Sequence, residues 1–467
     1  MLDVAERCGV NGVYLYDGEP SAAEISYDLD LQLFHRGHEG AGIASYDRIN
    51  QKHSLHKSLG KVRDVFKDGE VARQLKGHVA IGHTRYGTSG LDKPELYLHP
   101  IQSPHGKLFI SHNGTIAPFE YRQLLEEFPD GNRFDTDILA TLIENNLFKT
   151  ENWVNGLELS AEKLDGSYTC TVLTDDGKLV AFREPRGFKP LSYGRVQNGY
   201  VVASEDSALK SIGASDINPV RPGEVIVIDE SGLTKNFFAE PNPTPCAFER
   251  FYFSRISSTF DGVPCSDIRV WSGKKLAQKY PVDADFVAPV PDSGRGASMG
   301  YSMESKIPLA ELLEINREVG RIFILPNEQR DDAMRRKYLP IESFVKGRSM
   351  VITDDSIVRA ETQRAIISIL RAVGAKEVHV RITFPPIRFP CLHGGVAFAS
   401  REELAINRYG GIEGVRRYIN ADSLGYISVE DIAELGLNDC LACVTGDYPL
   451  KHKPDLSTSL ALNYVRG

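Results

Sequence analysis

Short apolar runs separated by turn-forming pairs make up the first half of the chain. Leu179-Val180-Ala181-Phe182 and Tyr200-Val201-Val202-Ala203 are such runs, and Asp165-Gly166 and Asp176-Gly177 are such pairs. That alternation predicts β-hairpins and antiparallel sheets. Apolar positions at helical spacing over residues 22–34 and 137–146 add helices, so this half reads as α+β. At Pro241-Asn242-Pro243-Thr244-Pro245 three prolines remove backbone donors within five residues, and the domain boundary is placed there. Beyond it the rhythm changes. Phe286-Val287-Ala288-Pro289-Val290 leads through Pro291-Asp292-Ser293-Gly294-Arg295-Gly296 into a helix from about Ala297. Met350-Val351-Ile352-Thr353 leads through Asp354-Asp355-Ser356 into a helix with Ile366, Ile369, Leu370 and Val373 on one face, and the strand-like Val378-His379-Val380-Arg381-Ile382 follows. Strand, loop, helix, strand predicts an α/β domain with a parallel sheet, whose ligands sit at the carboxyl ends of the strands.

Composition narrows the function classes. At roughly 100 to 200 residues per domain, 467 residues predict two or three domains with cores of their own. The balance of 54 Lys+Arg against 63 Asp+Glu, net −9, argues against a general grip on nucleic acid. The chain has no run of about 18 apolar residues, and its first residues lack the layout of a signal peptide, so the expectation is a cytoplasmic protein without a membrane segment. Seven cysteines in such a chain read as thiols, nucleophiles or metal ligands before disulfides.

A lone Cys8 at a strand start reads as a buried structural thiol. Five other segments change that reading: Arg36-Gly37-His38-Glu39, Gly82-His83-Thr84-Arg85-Tyr86-Gly87-Thr88, His112-Asn113-Gly114, Asp135-Thr136-Asp137 and Asp165-Gly166-Ser167-Tyr168. In this order they resemble the class II, N-terminal-nucleophile glutamine amidotransferases, with His38 where that family usually has Gln. The resemblance implies a sandwich of α+β type, with Cys8 as nucleophile and its own α-amino group as base. Residues 1–7 are then a propeptide and 8–240 the glutaminase domain. Asn113 and the Gly114 N–H would donate to the tetrahedral oxyanion, Arg85 would clamp the glutamine carboxylate, and Asp135 would clamp its amino group.

Residues 241–467 resemble type I phosphoribosyltransferases, and the two halves together resemble the glutamine phosphoribosylpyrophosphate amidotransferase family over almost the whole chain. That implies glutamine and phosphoribosylpyrophosphate as substrates, with phosphoribosylamine, glutamate and pyrophosphate as products, at the first committed step of purine synthesis. The same resemblance carries Mg2+ on Ser293, Asp354 and Asp355, a homo-oligomer, and nucleotide feedback ligands. Arg321 and Lys337 fall in the family's basic substrate-closing loop, and Arg359 and Thr362 in its 5′-phosphate loop. There the chain has Arg359-Ala360-Glu361-Thr362 where the family usually reads Arg-Gly-Thr-Thr, Glu318 replaces a usual Tyr, and His393-Gly394-Gly395-Val396 replaces Tyr-Gly-Ile-Asp. These departures keep two further readings open, a paralogue with a working glutaminase but an altered acceptor site, and a non-catalytic regulatory or scaffolding protein. Cys246, Cys391, Cys440 and Cys443 could by spacing alone serve zinc or an iron-sulfur cluster. The resemblance implies a [4Fe-4S] cluster.

Overall fold

The computed structural model describes residues 8–86, 94–129, 134–316, 336–393 and 400–453. Two antiparallel sheets dominate the first half. One has seven strands, in the order Ser215–Pro219, Ser192–Val196, Gly199–Ala203, Gly9–Leu15, Val79–Arg85, Gly40–Asp47, Lys52–Leu59. The other has six, in the order Gly232–Phe237, Glu224–Asp229, Leu179–Phe182, Gly166–Thr174, Leu108–Ile116, Ile101–Gln102.

Residues of both sheets, among them Val10, Tyr14, Ile81, Phe109, Leu173 and Ile226, pack into one core between them. The helix Ala22–Gln32 covers the outer face of the first sheet, and Asp135–Thr150 with Trp153–Lys163 covers that of the second. This makes a four-layer helix-sheet-sheet-helix sandwich. It explains why Gly9–Leu15 and Gly166–Thr174 are buried along their whole length, since layers cover both of their faces. The Asp176-Gly177 pair turns the hairpin between Gly166–Thr174 and Leu179–Phe182, as expected. Asp165-Gly166 does not turn a hairpin. It joins the helix Trp153–Lys163 to its strand, because Asp165 accepts from its neighbour's backbone and holds Ala117 N–H across the sheet.

The proline-rich 241–245 segment has no helix or strand. Its Asn242 and Thr244 N–H groups donate to the carbonyls of Pro185 and Arg186. Beyond it lies a four-stranded, wholly parallel sheet, Phe286–Pro289, Ser349–Asp354, Glu377–Ile382, Ser423–Tyr426. The helices Cys265–Lys279 and Arg295–Ser305 lie on one face, and Glu361–Val373 and Ile412–Ile419 on the other. The helix Glu361–Val373 buries Ile366, Ile369 and Leu370, the stripe legible in the sequence, and stops at Gly374 in the left-handed region. Among the described residues, no helix is long and apolar enough to cross a membrane.

Candidate functional site

Cys8 stands immediately before the strand Gly9–Leu15, where the central strands bring it beside Val79–Arg85. It lines an open pocket of about 370 Å³ together with Arg85, Gly114 and Asp135. Four residues far apart in sequence thus meet where strands of both sheets and one helix N-terminus converge.

Asn113 is fully buried, and neither polar atom of its amide has a partner among the described residues. Such a group is costly unless a ligand completes it. The next residue must be glycine. Gly114 has φ +153°, and a Cβ there would lie 2.0 Å from the Ser167 carbonyl oxygen. Its register opposite Tyr168 holds this pair in the sheet, so the donors are fixed before any substrate arrives.

Arg85 is 5% exposed, with its guanidinium 5.7 Å from the Tyr97 ring centre. Asp135 begins the helix Asp135–Thr150, and burial is the main reason its carboxyl is pushed up to about 6. Sequence reading gave no role to the histidines at the back of the pocket. The ring centres of His83 and His99 lie 4.3 Å apart with their planes tilted by 52°, and His112 bonds Thr136 Oγ1 at 3.0 Å and the Ser167 carbonyl at 3.1 Å. Burial drives His83 down to about 3 and His99 well below its usual range, so both rings are neutral and add no charge to the wall. His99, Tyr97 and Phe134 also line the pocket, and they stand outside the segments that carried the resemblance.

The second constellation forms at the carboxyl ends of the parallel strands. Ser293 Oγ donates to Asp354 Oδ1 at 3.1 Å, and Gln363 Nε2 donates to Oδ2 at 2.9 Å. Asp354 and Asp355 are both buried, and burial, reinforced by Asp355, raises the Asp354 carboxyl well above its usual range. Among the described residues no lysine or arginine pairs with these adjacent sealed acids, an arrangement that suits a divalent cation. Gly294 is forced here as well, since a Cβ would meet the Thr353 carbonyl oxygen at 2.2 Å. Arg359 closes the loop after these acids and pairs with Glu403 at 3.4 Å. Ala360 is in the left-handed region at φ +71°, so it adopts the conformation a glycine would supply. Thr362 is exposed in the first turn of the following helix, and Glu361 is half-buried, with its charge felt by Tyr409. Lys337 immediately precedes Tyr338, whose hydroxyl feels the charges of Asp354, Asp292 and Asp355. Arg321 and Glu318 lie outside the described residues, as do Gly394-Gly395-Val396 and residues 1–7.

The four remaining cysteines converge from three segments. Cys246 and Cys440 are bridged backbone to backbone, and the Cys443 carbonyl accepts from Arg388 and Phe389 N–H, two residues before Cys391. None of the four is in a disulfide, Cys440 Sγ lies 3.5 Å from His393 Nε2, and the Cys443 thiol feels each of the other three. Burial pushes the Cys246 thiol up to about 12 and raises Cys440 and Cys443 well above the usual range. Among the described residues, no three His, Cys, Asp or Glu side chains are grouped tightly enough to hold a single metal ion. Four thiols in electrostatic reach of Cys443 are soft donors of the kind that zinc or an iron-sulfur cluster takes.

Residues 85–211 match the family model described as a glutamine amidotransferase domain. Curated relatives align over nearly the whole chain. An amidophosphoribosyltransferase of Methanocaldococcus jannaschii is 39% identical over 95% of this chain and 97% of its own. That of Archaeoglobus fulgidus is 40% identical over 95% and 98%. Among solved structures, glutamine phosphoribosylpyrophosphate amidotransferase from B. subtilis, complexed with ADP and GMP, superposes with a TM-score of 0.84 at 35% identity, covering 95% of this chain and 98% of that one.

Proposed function

The chain belongs to the amidophosphoribosyltransferase family, and from that premise we propose how its residues divide the work. The enzyme uses glutamine to aminate phosphoribosylpyrophosphate in purine biosynthesis. Residues 8–240 form the glutaminase and 241–467 the phosphoribosyltransferase, with residues 1–7 removed as a propeptide.

The unpartnered Asn113 amide beside the Cys8 pocket carries this reading. With glutamine held by Arg85 and Asp135, the Cys8 thiolate adds to the carboxamide carbon, and its own α-amino group takes the thiol proton. Asn113 and Gly114 N–H receive the developing oxyanion. Collapse breaks the C–N bond and releases ammonia as the proton passes to nitrogen. Water then cleaves the thioester, giving glutamate and regenerating Cys8.

At the second site ammonia displaces pyrophosphate from the ribose C1 of phosphoribosylpyrophosphate, forming a C–N bond as the C–O bond breaks. Asp354 and Asp355 would hold magnesium together with Ser293, and magnesium supplies charge neutralisation at the pyrophosphate when bound. Arg359, Thr362, Arg321 and Lys337 are assigned to the phosphates. Cys246, Cys391, Cys440 and Cys443 would hold a [4Fe-4S] cluster with a structural role. Nucleotide regulation is proposed from the ADP and GMP in the B. subtilis relative, together with a homo-oligomeric state and a cytoplasmic location.

The test is incubation of the protein with glutamine, magnesium and phosphoribosylpyrophosphate while glutamate and pyrophosphate are followed together. Equal release upholds the reading. Glutamate without pyrophosphate favours a paralogue with an altered acceptor, and neither product favours a non-catalytic role. The left-handed Ala360 speaks for the first outcome, because the phosphate loop keeps a glycine-like backbone despite its changed sequence.

A further inference from the structure

Arg36 is fully buried, although no step above uses it. Its Nη2 donates to Glu249 Oε1 at 2.8 Å, and its Nη1 donates to Glu249 Oε2 at 3.1 Å and to Glu205 Oε1 at 2.8 Å. Its Nε donates to the backbone carbonyl of Cys8 at 3.2 Å. Lys189 Nζ, also fully buried, pairs with Glu249 Oε1 at 3.1 Å. The cluster holds two cations and two carboxylates, so its charges balance, with His35 at its rim on Glu205. Burial works against charge on Glu249, yet Arg36 and Lys189 outweigh it and hold its carboxyl below the usual range.

The members come from both sides of the proline-rich segment. Glu249 lies past it, and so do Arg255 N–H, at 2.9 Å from Glu205 Oε2, and Ser258 Oγ, at 2.6 Å from the same atom. A planar guanidinium gripped by two carboxylates cannot rotate, so its Nε–H points in one direction. The Cys8 carbonyl lies on it.

We infer that Arg36 is a positioning residue for the glutaminase, and that Glu249 anchors it, so that the second half of the chain sets the alignment of the Cys8 nucleophile. The inference rests on the reading of Cys8 as that nucleophile. A thiolate displaced by a fraction of an ångström still ionises and still meets glutamine, but it meets the carboxamide off line.

Glu249→Gln in the full-length protein tests this, with Arg36→Lys as a second variant in case the first fails to fold. The expected result is a fall in glutamine-dependent kcat of about ten- to hundredfold, with glutamine KM and ammonia-dependent activity within about twofold of the parent. Labelling of Cys8 by a glutamine-shaped chloroketone should slow in parallel, while labelling by iodoacetamide, which needs no alignment, should not. Unchanged glutamine kcat in both variants overturns the inference. Joint loss of both activities and of both labelling rates also overturns it, by assigning the cluster a structural role alone. Cys8→Ala, run alongside, separates the premise from the inference: glutamine turnover in that variant refutes Cys8 as nucleophile, whatever the cluster does.

Discussion

Glutamine capture should weaken as pH drops through about 6, the value to which the Asp135 carboxyl is raised. Burial is the main cause, the hydrogen bonds from Thr136 and Ile116 oppose it, and Asp137 adds to it. The assigned role requires the carboxylate, because the amino group of glutamine is cationic throughout this range. A group titrating near 6 is about 90% ionised at about pH 7 and about 10% at about pH 5, so affinity should fall roughly tenfold, or about 1.4 kcal/mol. Folding runs the other way. The folded value lies above the unfolded one, so the stability tied to this proton is complete at low pH and is lost as pH rises past 6. Bound glutamine should therefore raise the melting temperature more at about pH 7 than at about pH 5, against an opposite drift in the free protein. The assay is equilibrium binding of glutamine to Cys8→Ala, in which the nucleophile's own titration is absent, with Asp135→Asn as control. A dissociation constant flat from pH 5 to 7.5 would refute both the placement of Asp135 against the amino group and the burial argument.

Cys8→Ala should abolish glutamine use and spare ammonia-dependent synthesis, and loss of both would argue against separate sites. The mature active protein should begin at Cys8 by intact mass, since a retained Met1 would leave the base acylated. Anaerobically purified protein should be brown and contain iron and sulfide, and Cys440→Ser should lower both the iron content and the melting temperature; a colourless, fully active protein containing zinc would refute the assignment. Ala360→Gly with Glu361→Thr should change little. Relief of the left-handed alanine, about 1 to 2 kcal/mol, is offset by a buried methyl worth about 0.8 kcal/mol and by about 0.4 to 1 kcal/mol of unfolded-state entropy. Affinity for phosphoribosylpyrophosphate should move by no more than about threefold, roughly 0.6 kcal/mol, because the native loop already holds the glycine-like backbone, and a tenfold gain by titration would show that the native loop is impaired.

Local pattern alone determined the helix Glu361–Val373, the buried strands before Asp292 and Asp354, and the change from antiparallel to parallel texture near the prolines, because periodicity and backbone restriction act within a few residues. The same pattern misjudged Asp165-Gly166, whose turn chemistry serves a helix-to-strand join as readily as a hairpin. The identity of the residues around Cys8 was legible only as separate segments; strand order in the seven-stranded sheet is what lays Arg85 beside Cys8. Tyr97 and His99 joined that pocket through folding alone, since nothing in their sequence neighbourhood marks them, whereas Phe134 enters it as the residue next to Asp135. Tertiary structure also decided that Ala360 adopts a glycine-like backbone, and that Glu249, some 240 residues from Cys8, closes a sealed charge cluster beneath it. Charge compensation in a buried site depends on which groups meet after the chain has packed, and spacing along the chain does not encode that.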